Sequence, residues 1–305
     1  MSNLTGVFPV FQTPFHDDES IDFATLAVEI EWLFDRGASG IVMAMVSETL
    51  RMSSEERDEL AGKVCSLAAG KGPVVISVGA ESSHSAIRHA KHAEAQGAAA
   101  VMAIPPISIA LGRDELHGYY RSILEAVAIP VIVQDASGYV GRPMPVEMQA
   151  QILSEFGDER VLFKPEATPI GPNLSALRDA TGGKAKIFEG SGGISLVNSY
   201  RRGIVGTMPG AEIIDAQVAL WRALGEGSEE RIYRLSFPIS SLVALQSGLD
   251  GFLAVEKYLL VKQGIFPNAT IRGPVGYVLD EETRQEVDRL FEILMTEVRS
   301  PGLAK

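Results

Sequence analysis

Short apolar segments alternate with longer amphipathic segments from residue 6 to about residue 225. Each apolar segment is continuous instead of alternating in polarity, which is typical of parallel strands that are buried on both faces. Consecutive segments are spaced by roughly 20 to 35 residues, the length of one strand–helix unit. The pattern predicts eight strands, at 6–11, 41–46, 74–78, 99–104, 131–134, 161–164, 187–189 and 204–208.

The amphipathic segments carry the signals that begin and end helices. Ser53 and Glu56 form a capping box before an apolar stripe, Gly97 follows the last turn of one helix, and Pro130 stops another. Eight strand–helix units in series favour an α/β protein, a closed (β/α)8 TIM barrel. An open doubly wound sheet is the alternative, but the first strand is not followed by the Gly-x-Gly-x-x-Gly pattern of that fold.

The alternation of strands and helices ends after residue 225. Low-complexity tracts are absent, and no linker rich in Gly, Ser or Pro marks an independent domain. We therefore expect a barrel at 1–225 and a C-terminal helical extension at 226–305 that packs on the barrel. Three segments of this extension are predicted to be helical throughout, at 228–246, 250–263 and 280–298.

Composition limits the possible partners. The 305 residues are 46% hydrophobic and 22% charged, which is ordinary for a soluble globular protein. A net charge of −12 argues against nucleic acid or an anionic membrane, because either would require a basic face. The single cysteine, Cys65, excludes an intrachain disulfide and a Cys-rich metal site. Residues 1–5 do not resemble a secretion signal and no apolar segment is long enough to span a bilayer, so a cytoplasmic protein is expected.

One charged residue stands at the end of a predicted buried strand. Lys164 follows Val161, Leu162 and Phe163, three apolar residues that suit a parallel strand. A buried ammonium is costly, so such a lysine is paired, reaches the surface, or is kept because the neutral amine is a nucleophile. Taken alone, a lysine in this position is more often structural than catalytic.

The active site of a (β/α)8 barrel lies at the C-terminal ends of the strands and in the loops that follow them. Lys164 is the only lysine at the predicted strand ends, and an amine near hydroxyl, amide and glycine groups suits imine chemistry on a 2-oxo acid. The glycines in 190–193 either present backbone N–H groups to a carboxylate or form a tight turn. The predicted ends are Thr13, Pro14, Ser47, Glu48, Gly79, 105–108, Gln134, Asp135, Lys164, Glu166, 190–193 and 208–210.

Several short motifs stand at these strand ends. They are Gly-Val-Phe-Pro-Val-Phe-Gln-Thr-Pro-Phe at 6–15, Ser-Glu at 47–48 with Met-Ser-Ser-Glu-Glu-Arg at 52–57, Ile-Pro-Pro at 104–106, Pro-Val-Ile-Val at 130–133 and Phe-Lys-Pro-Glu at 163–166. Their order and spacing resemble the dihydrodipicolinate synthase/N-acetylneuraminate lyase family of class I aldolases. The resemblance implies a TIM barrel, an imine at Lys164, neither metal nor organic cofactor, and a homotetramer built as a dimer of dimers.

The sequence also departs from the family pattern. Synthases and lyases of the family have Gly-Thr-Thr-Gly-Glu after the second strand, where residues 44–48 read Ala-Met-Val-Ser-Glu. Ile107 and Ser108 replace their paired tyrosines, Gln134 replaces their catalytic tyrosine, and Tyr139 replaces the arginine that binds a second carboxylate in the synthases. Because a glutamine cannot act as an acid or base, dihydrodipicolinate synthase activity is not expected.

One branch of the family has a more similar pattern. The motifs Ala-x-x-Ser-Glu at 44–48, Val-Gln-Asp-Ala at 133–136 and Phe-Lys-x-Glu at 163–166 resemble those of L-2-keto-3-deoxyarabonate dehydratase. An enzyme of that type eliminates water from a 2-oxo-3-deoxy sugar acid through a lysine imine. The resemblance therefore implies a hydro-lyase or an aldolase that acts on a short 2-oxo acid.

We assign predicted roles on this basis. Lys164 forms the imine and Gln134 positions the substrate or a water, and both are predicted catalytic residues. The residue that moves the proton is left open among Glu48, Asp135, Tyr139, Glu166 and Ser108. Glu166 could instead be an ion-pair partner of Lys164, and Glu48 could cap a turn or join a buried network. The predicted substrate-binding residues are Ser47, Glu48, Ser108, Glu166, Gly190, Ser191 and Gly192.

Two other classes of function are considered. The missing tyrosines are compatible with a non-catalytic relative that binds a keto acid. A metal-dependent barrel aldolase is disfavoured, because the predicted strand ends contain no cluster of histidines.

Overall fold

The computed structural model describes residues 4–138 and 140–300. Within them the predicted TIM barrel is confirmed, because eight parallel strands follow one another around a closed sheet. The last strand pairs with the first, and a parallel bridge between Val10 and Val42 joins the first strand to the second. The strands are β1 (Gly6–Val7), β2 (Ile41–Met43), β3 (Val74–Ser77), β4 (Ala100–Ala103), β5 (Val131–Asp135), β6 (Val161–Pro165), β7 (Lys186–Glu189) and β8 (Gly206–Thr207).

Strands β1 and β8 are shorter than the apolar pattern predicts. The two chain segments remain parallel beyond them, because Phe8 N donates to Thr207 O at 2.9 Å and Val10 N donates to Pro209 O at 2.8 Å. The regular ladder stops at Pro9 and Pro209, since proline has no backbone N–H to donate. The hydrophobic pattern alone does not reveal this loss of donors, so it predicts strands that are too long.

Helices follow the strands and then form the C-terminal extension. The capping box predicted before α2 is present, with Glu56 N donating to Ser53 Oγ at 3.2 Å and Ser53 N donating to Glu56 Oε2 at 2.9 Å. The helices are α1 (Phe23–Asp35), α2 (Ser54–Leu67), α3 (Ser83–Ala95), α4 (Arg113–Ala126), α5 (Val146–Phe156), α6 (Ile170–Ala180), α7 (Leu196–Tyr200), α8 (Ile214–Glu226), α9 (Glu229–Val243), α10 (Gly248–Lys262) and α11 (Glu281–Arg299).

No single helix within the described ranges has both the length and the apolar character needed to cross a bilayer. Helices α9 and α10 meet that requirement only as a pair, and they are bent by 116° at the break between them.

The barrel separates two apolar layers. Leu162 of β6 belongs to a cluster inside the barrel, whereas Val161 and Phe163 pack outside it, among the helices. Ile132 of β5 is likewise inside. Because side chains alternate along a strand, the next inward positions are Gln134 on β5 and Lys164 on β6. The apolar pattern of the two strands thus directs both polar side chains into the barrel.

Helix α10 packs against the single-turn 3₁₀ helix Met45–Ser47, which follows β2. Lys257 of α10 is fully buried and forms an ion pair with Glu48, next to that turn. Nearby, Arg51 forms an ion pair with Asp250. These contacts position one face of the C-terminal extension at the end of the barrel where the strands terminate.

Candidate active site

Lys164, Gln134 and Glu166 form one hydrogen-bonded group. Gln134 and Lys164 are register partners on the neighbouring strands β5 and β6. Lys164 Nζ lies 3.0 Å from Glu166 Oε1, and Gln134 Nε2 donates to Glu166 Oε2 at 2.7 Å. Lys164 and Glu166, two residues apart on and just after β6, thus point the same way. Glu166 does form an ion pair with Lys164, so the structural alternative stated for it is present.

A cavity of about 50 Å³ lies beside this group. At about 10–15 Å³ for each water, such a cavity has room for a few waters or part of a small molecule. Lys164 is only 4% exposed, so its amine is sheltered from bulk solvent while it borders the cavity. The cavity is lined by Val10, Ala44, Met45, Val46, Gln134, Lys164, Glu166, Gly190, Gly192, Met208, Pro209, Gly210, Leu249, Phe252 and Glu256.

Burial governs the electrostatics of Glu166. Its pKa is raised above the ordinary value because burial penalises the carboxylate, and the positive charge of Lys164 and the hydrogen bond from Gln134 act in the opposite direction. Gln134 Oε1 is buried and has no hydrogen-bond partner among the described residues. A substrate hydroxyl or a water in the cavity would satisfy this acceptor.

The loop after β7 provides two of the predicted glycines at the cavity. A Cβ at Gly190 would lie 2.6 Å from Lys164 Cε and 2.7 Å from Glu166 Oε1, so only a glycine leaves room for these side chains. Gly192 adopts a positive φ of 68° and also lines the cavity. Ser191 lies between them, and its Oγ accepts a hydrogen bond from Ser195 N at 2.8 Å, so its hydroxyl stabilises the turn.

Ser47 and Glu48 lie in the turn after β2. Ser47 Oγ donates to Phe11 O at 2.6 Å and accepts from Ala44 N at 3.1 Å, and it is not part of the cavity lining. Glu48 has a left-handed φ of 59° and pairs with Lys257. Glu48 thus joins a buried network, which is the alternative stated for it, and Ser47 holds the turn. The neighbouring Met45 and Val46 border the cavity, and the substrate contacts of Ser47 and Glu48 stay predictions.

Two other candidates for proton transfer, Ser108 and Asp135, are also absent from the cavity lining. Ser108 is exposed, donates to Glu81, and borders a surface cleft on residues 105–113. The loop after β4 directs it outward in the single chain, and its contact with the substrate stays a prediction. Asp135 accepts from Ser137 N at 3.0 Å and from Met144 N at 2.8 Å, which orders the loop after β5. Tyr139 lies outside the described residues.

Sequence reasoning missed the contribution of α10. Glu256, Leu249 and Phe252 reach the cavity from this helix. Glu256 is 2% exposed and accepts a hydrogen bond from Gln12 Nε2. A signal was present, because Glu256 and Lys257 interrupt the apolar run 252–261. Buried charges inside such a run indicate partners elsewhere in the fold.

Glu256 belongs to a group of buried carboxyls. Burial raises the pKa of Glu29 to about 8 and that of Glu212 to about 7. Burial also raises the pKa of Glu256 well above its ordinary value, and the negative charge of Glu212 adds to this shift. These shifts favour the protonated forms of Glu29 and Glu256 at neutral pH, whereas Glu212 is near the midpoint of its titration there.

Within residues 4–138 and 140–300, no group of three His, Cys, Asp or Glu side chains has an arrangement that could hold a metal ion. The acidic side chains near the cavity are engaged by Gln12, Gln134 and Lys164.

Comparison with known proteins agrees with the fold and indicates a family. The chain is 27% identical to L-2-keto-3-deoxyarabonate dehydratase from Azospirillum brasilense, over 92% of each chain. It is 24% identical to a protein of Escherichia coli K12 described as a probable 2-dehydro-3-deoxy-D-pentonate aldolase, over 95% of this chain and 97% of the relative. The crystal structure of dihydrodipicolinate synthase from Rhodopseudomonas palustris superposes with a TM-score of 0.86 at 26% identity, over 96% of this chain and 99% of that one.

The model of the dihydrodipicolinate synthetase family matches residues 3–293. This match covers the barrel with its strand ends and most of the C-terminal extension. The chain is a member of the dihydrodipicolinate synthetase family.

Proposed function

We propose that the protein is a Schiff-base-forming lyase, a hydro-lyase or an aldolase, that acts on a 2-oxo-3-deoxy sugar acid or a related short 2-oxo acid. The observation that carries the proposal is the amine of Lys164, which borders a sheltered cavity within hydrogen-bonding distance of Glu166. An amine in this position can attack a ketone, because the nearby carboxyl can take up and return the protons of carbinolamine formation.

The remaining cavity residues have complementary roles. The lysine imine withdraws electrons from carbon 3 of the substrate, and Glu166 takes the proton from that carbon. Gln134 holds Glu166 through Nε2 and presents Oε1 to a substrate hydroxyl or a water. The backbone around Gly190 and Gly192 borders the cavity closely enough to receive the substrate carboxylate.

Dihydrodipicolinate synthase activity is not part of the proposal. Lys164 is the one cationic side chain among the described residues that line the cavity. A second substrate carboxylate would therefore have no cationic partner there once Lys164 is an imine, and desolvating it would be costly. The relatives named as a keto-deoxy sugar acid dehydratase and a probable pentonate aldolase support sugar acids as the substrate class.

Reduction with borohydride in the presence of pyruvate tests the imine. We expect the mass of the peptide that contains Lys164 to increase by one reduced pyruvate adduct, with no adduct on the buried Lys257. Loss of the adduct in Lys164→Arg would confirm the site. Binding of 2-oxo acids without an adduct would instead support a non-catalytic keto-acid-binding paralogue, which is the second candidate because the family tyrosines are replaced.

A panel of 2-oxo-3-deoxy acids, assayed for both water loss and aldehyde release, would identify the reaction.

We also propose a cytoplasmic homotetramer, a dimer of dimers, as the family resemblance implies. Light scattering of the purified protein measures the oligomeric state, and a stable monomer would contradict this part.

A further inference from the structure

The proposed function leaves one cavity carboxyl without a role. Glu256 lines the cavity from α10, whereas Gln134, Lys164 and Glu166 reach it from β5 and β6. Glu256 packs against Gly210, where a Cβ would lie 2.5 Å from Glu256 Oε1. Gly210 follows β8, which lies two strands around the barrel from β6. Glu256 and Lys164 therefore border the cavity from different sides.

Glu256 shares its surroundings with other carboxyls. The same Cβ position at Gly210 would lie 2.3 Å from Glu212 Oε2, so Glu212 and Glu256 flank one point. Glu212 Oε2 has no hydrogen-bond partner among the described residues. Gln12 links Glu256 to Glu29, since its side chain donates to Glu256 and its backbone N–H donates to Glu29 Oε1 at 2.9 Å.

The nearby cations are already paired. Lys257 binds Glu48 and also donates to Thr270 O at 2.7 Å, and Lys164 binds Glu166. Among the described residues, Glu29, Glu212 and Glu256 thus form no ion pair, although the positive charge of Lys257 acts on Glu29. Because adjacent buried carboxylates cannot all be ionised, protons must be retained in this group at neutral pH. The pKa values of Glu29, Glu212 and Glu256 are all raised, which also favours the retention of protons.

Resting on the proposed imine chemistry, we propose that Glu256 is a second catalytic residue whose protonated carboxyl donates its proton to the hydroxyl that leaves carbon 4 of the substrate. This assignment deepens the proposed function, because it selects water elimination over carbon–carbon cleavage and requires a substrate with a hydroxyl at carbon 4. It also gives the cavity an acid in place of the phenol that Gln134 replaces.

The proton and electron balance distinguishes the two reactions. In elimination, Glu166 takes a proton from carbon 3 of the iminium, and the electron pair forms an enamine. The enamine then expels the hydroxyl from carbon 4, and the proton of Glu256 converts it to water. Hydrolysis of the remaining imine consumes one water and frees Lys164, and the proton on Glu166 returns to Glu256 through water in the cavity.

In cleavage, the bond between carbons 3 and 4 breaks instead. The hydroxyl at carbon 4 must then lose its proton to a base, while carbon 4 becomes an aldehyde. A protonated carboxyl cannot accept that proton. A neutral Glu256 therefore assists elimination and does not assist cleavage.

Glu256→Gln tests the assignment, with Glu29→Gln as the matched control. Both residues are buried glutamates that contact Gln12, but only Glu256 lines the cavity. We expect Glu256→Gln to lower the rate of water loss by about 10²-fold or more, a typical effect for a general acid. Glu29→Gln should retain the rate within a few fold, because glutamine resembles the protonated acid in shape and charge. Pyruvate should still form the borohydride-trapped adduct in both variants.

The two proposals can fail separately. Absence of a trapped adduct in the unchanged protein overturns the imine, and therefore the catalytic role of Glu256 as well. Trapping together with an unchanged rate of water loss in Glu256→Gln overturns only the role of Glu256. Infrared difference spectra at neutral pH provide a readout independent of activity. Because Glu29 and Glu212 also retain protons, the readout is the loss of part of the protonated-carboxyl absorption in Glu256→Gln, and unchanged absorption in the two proteins contradicts the assignment.

Discussion

Two lysines are buried in the part of the chain that the structure describes, and they differ in their surroundings. Lys164 is 4% exposed and Lys257 is 0% exposed, and each forms an ion pair with a glutamate. Lys164 borders the cavity, and the second carboxyl oxygen of its partner Glu166 accepts a hydrogen bond from Gln134. Lys257 is instead enclosed, because Glu48, the carbonyl of Thr270 and the ring of Phe15 surround its amine.

The comparison shows that burial and pairing do not by themselves make a lysine reactive. Burial lowers the pKa of Lys257, and the negative charge of Glu48 opposes this change. A lowered lysine pKa is often taken as a sign of a functional site. For Lys257 it accompanies a structural ion pair, since the amine does not line the cavity. Access of the amine to a cavity is the feature that separates the two lysines.

The largest expected difference between the two lysines is in adduct formation and turnover after each is replaced by methionine. We expect Lys164→Met to lose both the pyruvate adduct and all turnover, because no other amine lines the cavity among the described residues. Folded Lys257→Met should still form the adduct at Lys164. Mass spectrometry after borohydride reduction measures both outcomes, and an adduct in Lys164→Met would refute the assignment.

The free energy of unfolding should depend more on Lys257 than on Lys164. Lys257→Met should reduce the free energy of unfolding by about 3–5 kcal/mol, because it leaves Glu48 buried without its cation. The matched control is Lys262→Met on the same helix, whose pair with Asp288 is partly exposed and is worth about 1 kcal/mol or less. Urea unfolding measures both. A double variant, Lys257→Met with Glu48→Gln, should recover part of the loss, and equal losses in both lysine variants would contradict the structural role.

The carboxyls near the cavity should make the rate of water loss depend on pH. The charge of Glu212 helps to raise the pKa of Glu256. Removing it in Glu212→Gln should lower that pKa, so the acid form of Glu256 would be lost at a lower pH. The alkaline limb of the kcat/KM profile for water loss should therefore move to lower pH than in the unchanged protein. An unmoved limb would show that Glu212 does not act on Glu256.

The smallest expected effect concerns stability and pH. Glu29 has its pKa raised from 4.5 to about 8 by burial, so the folded state holds a proton that the unfolded state has lost between these values. The stabilisation from this proton is complete below pH 4.5 and declines as the pH rises towards 8. Stability should thus fall across this window, and Glu29→Gln should reduce the fall by about 1–3 kcal/mol. Urea midpoints of both proteins at pH 5 and pH 8 test this. An equal fall in stability between the two pH values in both proteins would contradict it.

Much of the fold could be predicted, because strands and helices bury their apolar faces with different local periods. The eight apolar runs correspond to the eight strands, and the helices after residue 226 lie within a few residues of their predicted positions. The ends of β1 and β8 could not be predicted from apolarity, since Pro9 and Pro209 end the regular ladder through their missing donors.

Part of the candidate site was also within reach of the sequence. Alternation along β5 and β6 directs Gln134 and Lys164 inward, and Glu166 follows two positions later. Ser47 and Ser108 were placed by analogy with strand ends in general. Their hydroxyls bind neighbouring loop groups instead, because a loop after a strand has no fixed period to orient its side chains.

The sequence by itself determined the barrel, the helical extension and the inward lysine, because each follows from contacts between nearby residues or from strand periodicity. Only the tertiary structure decided that Glu256 reaches the cavity and that Glu48 is held by Lys257. Both contacts depend on where α10 lies relative to the strand ends. Such long-range packing is set by the shapes of distant surfaces and leaves no periodic trace along the chain.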